Sequence, residues 1–332
     1  MKKICLLLLL FAALVSCSTA PAQEDAGASP LSGEKWRQQK ASLIDSVTIP
    51  VLLQPETIRG YEALDSLTAE AWILVDDSLG LVLSAKNAGQ RMYPASLTKM
   101  MTCLLTLEHG EMADSIEITA DVCVTRDTRV KAGDRYLEGN LVREMMLVSD
   151  NVSACALAKH VGGDTLTFIN MMNQKAEELG MSHTHFANPN GMPNDSNYST
   201  ARDLLTLVRY AMRDTAFAGI VGTDSMDVPL LDGRHLPCRN TNALLRSYNG
   251  CFGVKTGYTR KAGSCLAAAA THRGITLYLV LLKSGNNALR FTESAVMLDY
   301  GFQVMEALHD WKRSRFSFSW IRNDSSSNGA EI

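Results

Sequence analysis

The sequence predicts an α+β fold, in which helices flank an antiparallel sheet and also form a helical subdomain. Strand-like segments lie at about residues 71–86 and 251–282, and helix-like segments fill the middle. Short turns join the strands, and strands joined in this way pair antiparallel. The early and late strands each need a partner for their apolar face, so we expect one shared sheet beside the helices. A cleft between the two parts is the natural place for a site.

The N-terminal region predicts export and lipid attachment. Residues 1–16 begin with Lys2 and Lys3 and continue in an apolar run too short for a mature membrane span, which is typical of a signal peptide. The run stops at Cys17, and the stretch LVSC resembles a bacterial lipobox. The resemblance implies cleavage before Cys17 and a lipoprotein anchored to a membrane, on the periplasmic face of the cell envelope. An ordinary signal peptide that contains a cysteine is the alternative.

The rest of the chain divides by composition. Residues 17–40 are rich in Ala, Ser, Pro, Gly, Glu and Gln, which predicts a lipid anchor followed by a flexible tether. Residues 41–66 carry no clear pattern and form an unassigned N-terminal extension. Residues 67–308 are expected to form the folded domain, and residues 309–332 a frayed tail that ends in polar NDSSSNGAEI.

The folded domain begins with a hairpin and a helix. Apolar AWILV and LVLSAK flank the turn residues of Asp76–Gly80, which predicts an antiparallel hairpin from Ala71. A helix is predicted from about Ser96 to Glu108, and Gly110 closes it.

The middle of the chain is predicted to be mostly helical. The segments NLVREMMLVS, NVSACALAKHV and TLTFINMMNQKAEEL carry apolar residues at three-to-four spacing, and the last stops at Gly180. The composition of FANPNGMPNDSNYS indicates a loop. Thr200–Asp203 then resembles a capping box at the start of another helix.

The last third returns to strands. CFGVKTGYT is strand-like, and SCLAAAATHRGITLYLVLL predicts two strands joined by a turn at His272–Gly274. A final amphipathic helix is predicted from about Ala288 to Leu308.

Charge and cysteine usage exclude several classes of protein. The formal net charge is −3 with no basic stripe, which argues against a nucleic acid partner. None of the eight cysteines forms a C-x-x-C pair, so a zinc site has little support. We expect no metal and no cofactor. Cys103 and Cys265 lie in apolar segments and are expected to be buried thiols. The pairing of the other cysteines in an exported chain is open.

Three short motifs suggest a nucleophilic serine. Ser96 and Lys99 share one helix face, and a lysine in a dry site can lose its charge and act as a base. Ser149–Asn151 is a Ser-x-Asn sequence between two helices, and Lys255–Gly257 is a Lys-Thr-Gly sequence on a strand. On that strand Gly257 lets a substrate backbone come close.

Each motif is weak by itself. Ser-x-x-Lys also occurs at Ser32–Lys35, and Ser-x-Asn occurs again at 247–249, 284–286 and 326–328. An isolated match is more often a capping serine or a surface lysine. We favour Ser149–Asn151 because it lies in the helical middle, on the far side of the expected cleft. All three motifs appear in the order found in class A β-lactamases and penicillin-binding proteins.

The chain resembles the low-molecular-mass penicillin-binding proteins, the serine-type D-alanyl-D-alanine carboxypeptidases of peptidase family S11. The resemblance runs from about Leu67 to Leu308, and it includes SAKNAGQRMYPASLTKMMT, MNQKAEELGMSHTHFANPNGM, YSTARDLL, GVKTGYTRKAG and LRFTESAVMLDYGF. It implies a β-lactamase/transpeptidase-like fold. Two features depart from it: Ser-Asp-Asn replaces the usual Ser-Gly-Asn followed by Asp, and Asn190 and Asn197 stand where histidine is common.

The resemblance implies removal of the terminal D-alanine from peptidoglycan stem peptides through an acyl-enzyme on Ser96. Lys99 would be the base, Ser149 would relay the proton to the leaving amine, and Asn151 would hydrogen-bond the peptide. Lys255 would help to keep Lys99 neutral. β-Lactams would acylate the same serine and act as inhibitors.

The remaining implied roles concern the terminal carboxylate and the oxyanion. The backbone N–H groups of Ser96 and Tyr258 would form the oxyanion hole. Arg290 would attract the carboxylate together with Thr256, because a guanidinium fork suits its shape. Lys255 would add positive potential.

Three rival functions stay open. A D,D-endopeptidase acting on crosslinks uses the same site. A β-lactamase shares Ser-Asp-Asn but needs a base for deacylation, and Glu177 and Glu178 fall in a predicted helix with no matching Glu-x-x-x-Asn loop. A non-catalytic peptidoglycan-binding lipoprotein needs no Ser–Lys pair, so the intact motifs count against it.

Overall fold

The computed structural model describes residues 64–123, 125 and 128–323, with side chains up to residue 310. The predicted signal peptide, Cys17, the tether and the extension up to residue 63 lie outside the described residues, as do residues 324–332.

The secondary structure follows the predicted order of hairpin, helices and closing strands. The strands are β1 (Ala71–Asp76), β2 (Val82–Lys86), β3 (Ser115–Glu117), β4 (Arg135–Leu137), β5 (Ser225–Pro229), β6 (His235–Arg239), β7 (Cys251–Thr259), β8 (Gly263–His272) and β9 (Ile275–Ser284). The α-helices are α1 (Lys99–His109), α2 (Glu138–Leu147), α3 (Asn151–Gly162), α4 (Thr165–Glu178), α5 (Ala201–Ala211), α6 (Thr215–Gly222), α7 (Leu244–Ser247) and α8 (Leu289–Asn323). A 3-10 turn, Ala95–Thr98, leads into α1.

The main sheet confirms the predicted α+β class. Its five strands have the order β2-β1-β9-β8-β7, and every neighbouring pair is antiparallel. The first hairpin and the closing strands therefore share one sheet, with β1 paired to β9. β7 carries the Lys-Thr-Gly sequence and lies at the edge of the sheet, so one side of its backbone is not used by another strand of the described residues.

The hydrophobic core lies on both faces of this sheet, because side chains of a strand alternate between faces. The face toward α1 and the other middle helices carries Ile73, Val75, Ala267, Ala269, Val280 and Leu282. The opposite face packs on α8 and carries Leu74, Leu266, Ala268, Ala270, Leu279 and Leu281. Burial of each large aliphatic side chain contributes about 1.5–3 kcal/mol. β7 pairs with β8 in this sheet, and its Val254 belongs to the core on the helical face.

Helix caps in the middle of the chain bear out the local sequence signals. The Thr200 side chain accepts a hydrogen bond from the N–H of Asp203 at 3.0 Å, which is the N-cap half of the predicted capping box. The Asp203 carboxylate instead accepts from the N–H of His183 and the hydroxyl of Thr184. Asp164 caps α4 as Thr200 caps α5, with 2.9 Å to the N–H of Thr167. These caps set where the helices begin.

Two features differ from the sequence prediction. The short strands β3 to β6 and the helices α6 and α7 were not predicted, because segments of three to eight residues carry little periodicity. The last helix does not end near Leu308 but continues to Asn323, so the predicted tail begins as helix. No glycine or proline occurs between residues 309 and 323 to stop it. Within the described residues, every helix is too short or too polar to cross a bilayer.

Candidate active site

Ser96 lies on the 3-10 turn that precedes α1, where the backbone is unusual. Ala95 has φ +48°, a conformation uncommon for residues other than glycine and often found at functional sites. The turn leaves Ser96 partly exposed and places Lys99 one turn later, fully buried. The Nζ atom of Lys99 lies 3.0 Å from Ser96 Oγ. The pair is therefore within hydrogen-bond distance, as the spacing predicts.

Three oxygen atoms surround the Lys99 amine. Besides Ser96 Oγ, they are Asn151 Oδ1 at 2.7 Å and the backbone carbonyl oxygen of Asn190 at 2.6 Å. A neutral amine has two N–H groups and one lone pair. If the two N–H groups donate to Asn151 and Asn190, the lone pair is left to accept the Ser96 hydroxyl proton. The arrangement suits a general base.

Burial favours the neutral form of the Lys99 amine. Desolvation lowers the pKa of Lys99 to about 7, although the negative charge of Asp150 opposes the shift. Burial also raises the pKa of the nearby Cys155 thiol to about 11. At neutral pH that thiol carries no charge, so it does not hold Lys99 in the protonated form.

The junction of α2 and α3 brings Asn151 to the site. Ser149 has φ +65°, and its hydroxyl makes no hydrogen bond among the residues that the structure describes. Asp150 caps α3, accepting from the N–H of Ser153 at 2.7 Å and from its hydroxyl at 2.9 Å. This cap fixes Asn151 as the first residue of α3. Of the Ser-x-Asn motif, the structure brings Asn151 into contact with Lys99 and does not do so for Ser149.

Strand β7 forms the opposite wall of the site. A Cβ atom at Gly257 would lie 3.1 Å from the carbonyl oxygen of Pro94 and 3.2 Å from the nitrogen of Ser96, so the glycine permits this close packing. Lys255 and Thr256 are buried beside it. Burial, together with the positive charges of Lys99 and Arg290, holds the pKa of Lys255 well below its usual range.

Tyr258 and Arg290 complete the set of predicted residues. The Tyr258 side chain is 56% exposed. Arg290, at the start of α8, is buried and donates a hydrogen bond to the carbonyl oxygen of Gly257 at 3.0 Å. Burial lowers the pKa of its guanidinium, and its Nε atom is buried without a partner among the described residues. The structure thus places Arg290 directly behind the Lys-Thr-Gly strand.

Sequence reasoning missed several residues of this site. Asn190 supplies a backbone carbonyl acceptor for Lys99. Its side chain accepts a hydrogen bond from the N–H of Met192 at 2.9 Å and donates one to the sulfur of Cys155 at 3.3 Å. The Thr241 hydroxyl lies 2.6 Å from that of Thr256. The Pro-Asn-Gly turn signal around Asn190 was visible in the sequence, but nothing in it indicates a partner 91 residues away.

The rival assignments can be compared with this geometry. Among the described residues, no carboxylate forms a hydrogen bond with Ser96 or Lys99. Glu177 and Glu178 belong to α4, as predicted, and Glu178 pairs with Lys175 at 3.4 Å. The six described cysteines are unpaired thiols, and Cys103 and Cys265 are buried as expected.

Comparisons with known proteins agree with the fold and the motifs. The profile of a family described as D-alanyl-D-alanine carboxypeptidase, peptidase family S11, matches residues 59–286. The chain is 28% identical to DacF of Bacillus subtilis and 32% identical to DacC of Escherichia coli, both D-alanyl-D-alanine carboxypeptidases. These matches cover 74% and 73% of this chain but only 65% and 63% of the relatives' own length.

Other relatives match over more of their length. DacB2 of Mycobacterium tuberculosis, also a D-alanyl-D-alanine carboxypeptidase, is 34% identical, and the match covers 71% of this chain and 83% of that protein. Among solved structures, the DD-transpeptidase of Streptomyces K15 superposes with a TM-score of 0.68 at 30% identity. That superposition covers 71% of this chain and 97% of the K15 chain.

Proposed function

Because the chain belongs to peptidase family S11, the D-alanyl-D-alanine carboxypeptidases, we propose that it removes the terminal D-alanine from peptidoglycan stem peptides. The observation that carries this proposal is the buried Lys99 amine, which lies within hydrogen-bond distance of Ser96 Oγ, Asn151 Oδ1 and the Asn190 carbonyl oxygen. Residues 67–308 form the catalytic domain in this proposal.

Acylation begins with proton transfer inside the Ser–Lys pair. Lys99 takes the hydroxyl proton as Ser96 Oγ bonds to the carbonyl carbon between the two D-alanines. The tetrahedral intermediate collapses when the C–N bond breaks, and the leaving amine receives the proton from Lys99 through Ser149. The position of Ser149 next to Asp150 and Asn151, which are anchored at the site, supports its role as the relay.

The free edge of β7 orients the peptide. The substrate backbone extends along this edge, in the manner of an added strand, while Gly257 keeps β7 packed against the turn that carries Ser96. The terminal carboxylate lies toward Lys255 and Thr256, with Arg290 supporting the strand from behind. The N–H groups of Ser96 and Tyr258 stabilise the oxyanion.

Hydrolysis of the acyl-enzyme completes the cycle. Water attacks the ester carbonyl, Lys99 accepts a proton from that water, and Ser96 is released with its hydroxyl restored. A β-lactam forms the same ester bond. We expect this ester to be released slowly, in contrast to that of a β-lactamase, because Glu177 and Glu178 lie in helix α4 and not in a Glu-x-x-x-Asn loop.

A second candidate is transfer of the acyl group to an amine of another stem peptide. The observation that favours it is the structural similarity to the Streptomyces K15 DD-transpeptidase over 97% of that protein. An acceptor amine would take the place of water at the same ester, with the same residues in the same roles. D,D-endopeptidase action on crosslinks would likewise use this site.

The proposal includes a location in the cell envelope, where the peptidoglycan substrate lies. Residues 1–16 are proposed to direct export, and Cys17 to carry the lipid. Metabolic labelling with a fatty acid should mark the wild-type chain and leave Cys17→Ser unlabelled. Equal labelling of the two chains contradicts the lipid site.

Mass spectrometry tests the nucleophile. After incubation with benzylpenicillin, the protein should gain the mass of one penicilloyl group on the peptide that contains Ser96. Ser96→Ala and heat-denatured wild type should gain none. An adduct that persists in Ser96→Ala contradicts the assignment.

Product analysis separates the candidate reactions. The purified protein is incubated with a pentapeptide, with the pentapeptide plus an acceptor amine, and with crosslinked muropeptides. Both hydrolysis and transfer release D-alanine, so the acyl product decides: free tetrapeptide as the main product supports the carboxypeptidase. Products joined to the amine support transfer, and cleaved crosslinks support the endopeptidase.

A further inference from the structure

A cavity of about 340 Å³ is lined by residues close in sequence to the candidate nucleophile and has no role in the chemistry above. Three segments form most of it: Gln90–Tyr93, the loop that contains Asp195 and Tyr198, and the β7–β8 turn at Lys261 and Ala262. Tyr93 precedes Ser96 by three residues, and the β7–β8 turn continues the strand that packs against Ser96. The cavity is therefore a continuation of the site along β7.

Among the residues that the structure describes, every charged side chain that lines the cavity forms an ion pair except one. Lys261 pairs with Asp195 at 2.5 Å, and Lys283 pairs with Glu70 at 2.7 Å. Arg91 lines the cavity with its guanidinium 4.7 Å from the ring centre of Tyr198, and it has no ion-pair partner among the described residues. Stacking on an aromatic face leaves the edge of a guanidinium, which carries its N–H donors, free for an anion.

The geometry also indicates which part of a substrate reaches the cavity. In the proposed complex the scissile carbonyl lies at Gly257 and Tyr258, and the terminal carboxylate lies toward Lys255. The peptide therefore runs antiparallel to β7, and its upstream residues point toward Lys261. A strand advances about 3.3 Å per residue. One or two residues upstream of the two D-alanines thus come level with the cavity.

We propose that this cavity binds a carboxylate on the acyl-donor part of the stem peptide through the guanidinium of Arg91. The carboxylate belongs to the residue directly before the two D-alanines or to the next residue upstream. This inference rests on the proposed function, since it needs the peptide to lie along β7. Arg91 is a specificity residue in this view, and it takes no part in the proton transfers at Ser96.

Two pairs of synthetic peptides that end in D-Ala-D-Ala test the proposal. The first pair carries a carboxylate or a carboxamide on the residue directly before the D-alanines, and the second pair carries it one residue further upstream. Release of D-alanine gives kcat/KM for each peptide. The wild type should prefer the carboxylate about tenfold in one of the two pairs, which identifies the source of the anion.

Variants of two arginines link this preference to the cavity. Arg91→Gln should reduce the preference to about one, and Arg91→Lys should retain part of it. Arg260→Gln is the matched control, because Arg260 is an exposed arginine on the same β7–β8 turn that does not line the cavity. It should keep the full preference. In the wild type, added salt should weaken the preference, and this measurement needs no variant.

The possible failures are distinguishable. If none of the four peptides loses D-alanine and penicillin forms no adduct, both the proposed function and the inference are wrong. If all four peptides are hydrolysed equally well, or if Arg91→Gln keeps the wild-type preference, the inference is wrong and the carboxypeptidase proposal stands.

Discussion

Replacing Gly191 by alanine should slow acylation of Ser96, although Gly191 itself supplies no reacting group. Gly191 has φ +81° and follows Asn190, whose carbonyl accepts from Lys99 at 2.6 Å. A Cβ atom at Gly191 would lie 2.0 Å from the carbonyl oxygen of Ala95 and 2.9 Å from the nitrogen of Ser96. Since ordinary contact begins at about 3.4 Å, the loop and the 3-10 turn must separate by about 1.4 Å.

The substitution Gly191→Ala should lower both the stability of the protein and the rate of acylation. A left-handed conformation costs an alanine about 1–2 kcal/mol of stability, wherever it occurs. The displacement acts on Asn190 and Ser96 together, and a misplacement of about 1 Å at a catalytic group lowers a rate by about a hundredfold. We therefore expect acylation of Gly191→Ala to be roughly a hundredfold slower than that of the wild type.

Gly180→Ala is the matched control. Gly180 has φ +74°, nearly the same backbone strain, but a Cβ atom there would meet nothing within 4 Å. The assay is the second-order rate constant of acylation by a fluorescent penicillin, with urea unfolding measured in parallel. Gly180→Ala should lose stability and keep its rate. If Gly191→Ala acylates within threefold of the wild type, the reasoning about this contact is refuted.

Two further predictions concern the base and its support. Burial lowers the pKa of Lys99 to about 7, and only the neutral amine accepts a proton, so the acylation rate should rise with pH through about 7 and level off above it. A rate that is constant from pH 6 to 8 contradicts this. Asp150→Ala and Asp164→Ala each remove a helix cap and should each cost about 1–2 kcal/mol. Only Asp150→Ala should also slow acylation, because its cap positions Asn151. The comparison is made at pH 9, where Lys99 is neutral with or without the Asp150 charge, and equal rates in the two variants contradict that link.

The sequence predicted the parts of this molecule that have a local signature. Strand β7 occupies the same nine residues as the predicted segment CFGVKTGYT, because alternation and a bordering glycine mark its ends. The helical spacing of Ser96 and Lys99 likewise predicts their approach. Contacts between distant segments have no such signature. The acceptor on Asn190 is a backbone carbonyl, which every residue type possesses, so no choice of side chain could indicate it.

The difference between a side-chain signal and a backbone contact also applies to Asn190 and Asn197, the two asparagines that depart from the expected family pattern. Lys99 contacts the main chain of Asn190, so this acceptor is present whichever side chain stands there. The Asn190 side chain instead satisfies groups of its own loop and the Cys155 thiol. Asn197 is similar, since its side chain accepts from the N–H of Ala187 and donates to the Thr98 hydroxyl at 3.4 Å. The side chains at positions 190 and 197 therefore hold the loop, while the backbone carbonyl of residue 190 contacts the Lys99 amine.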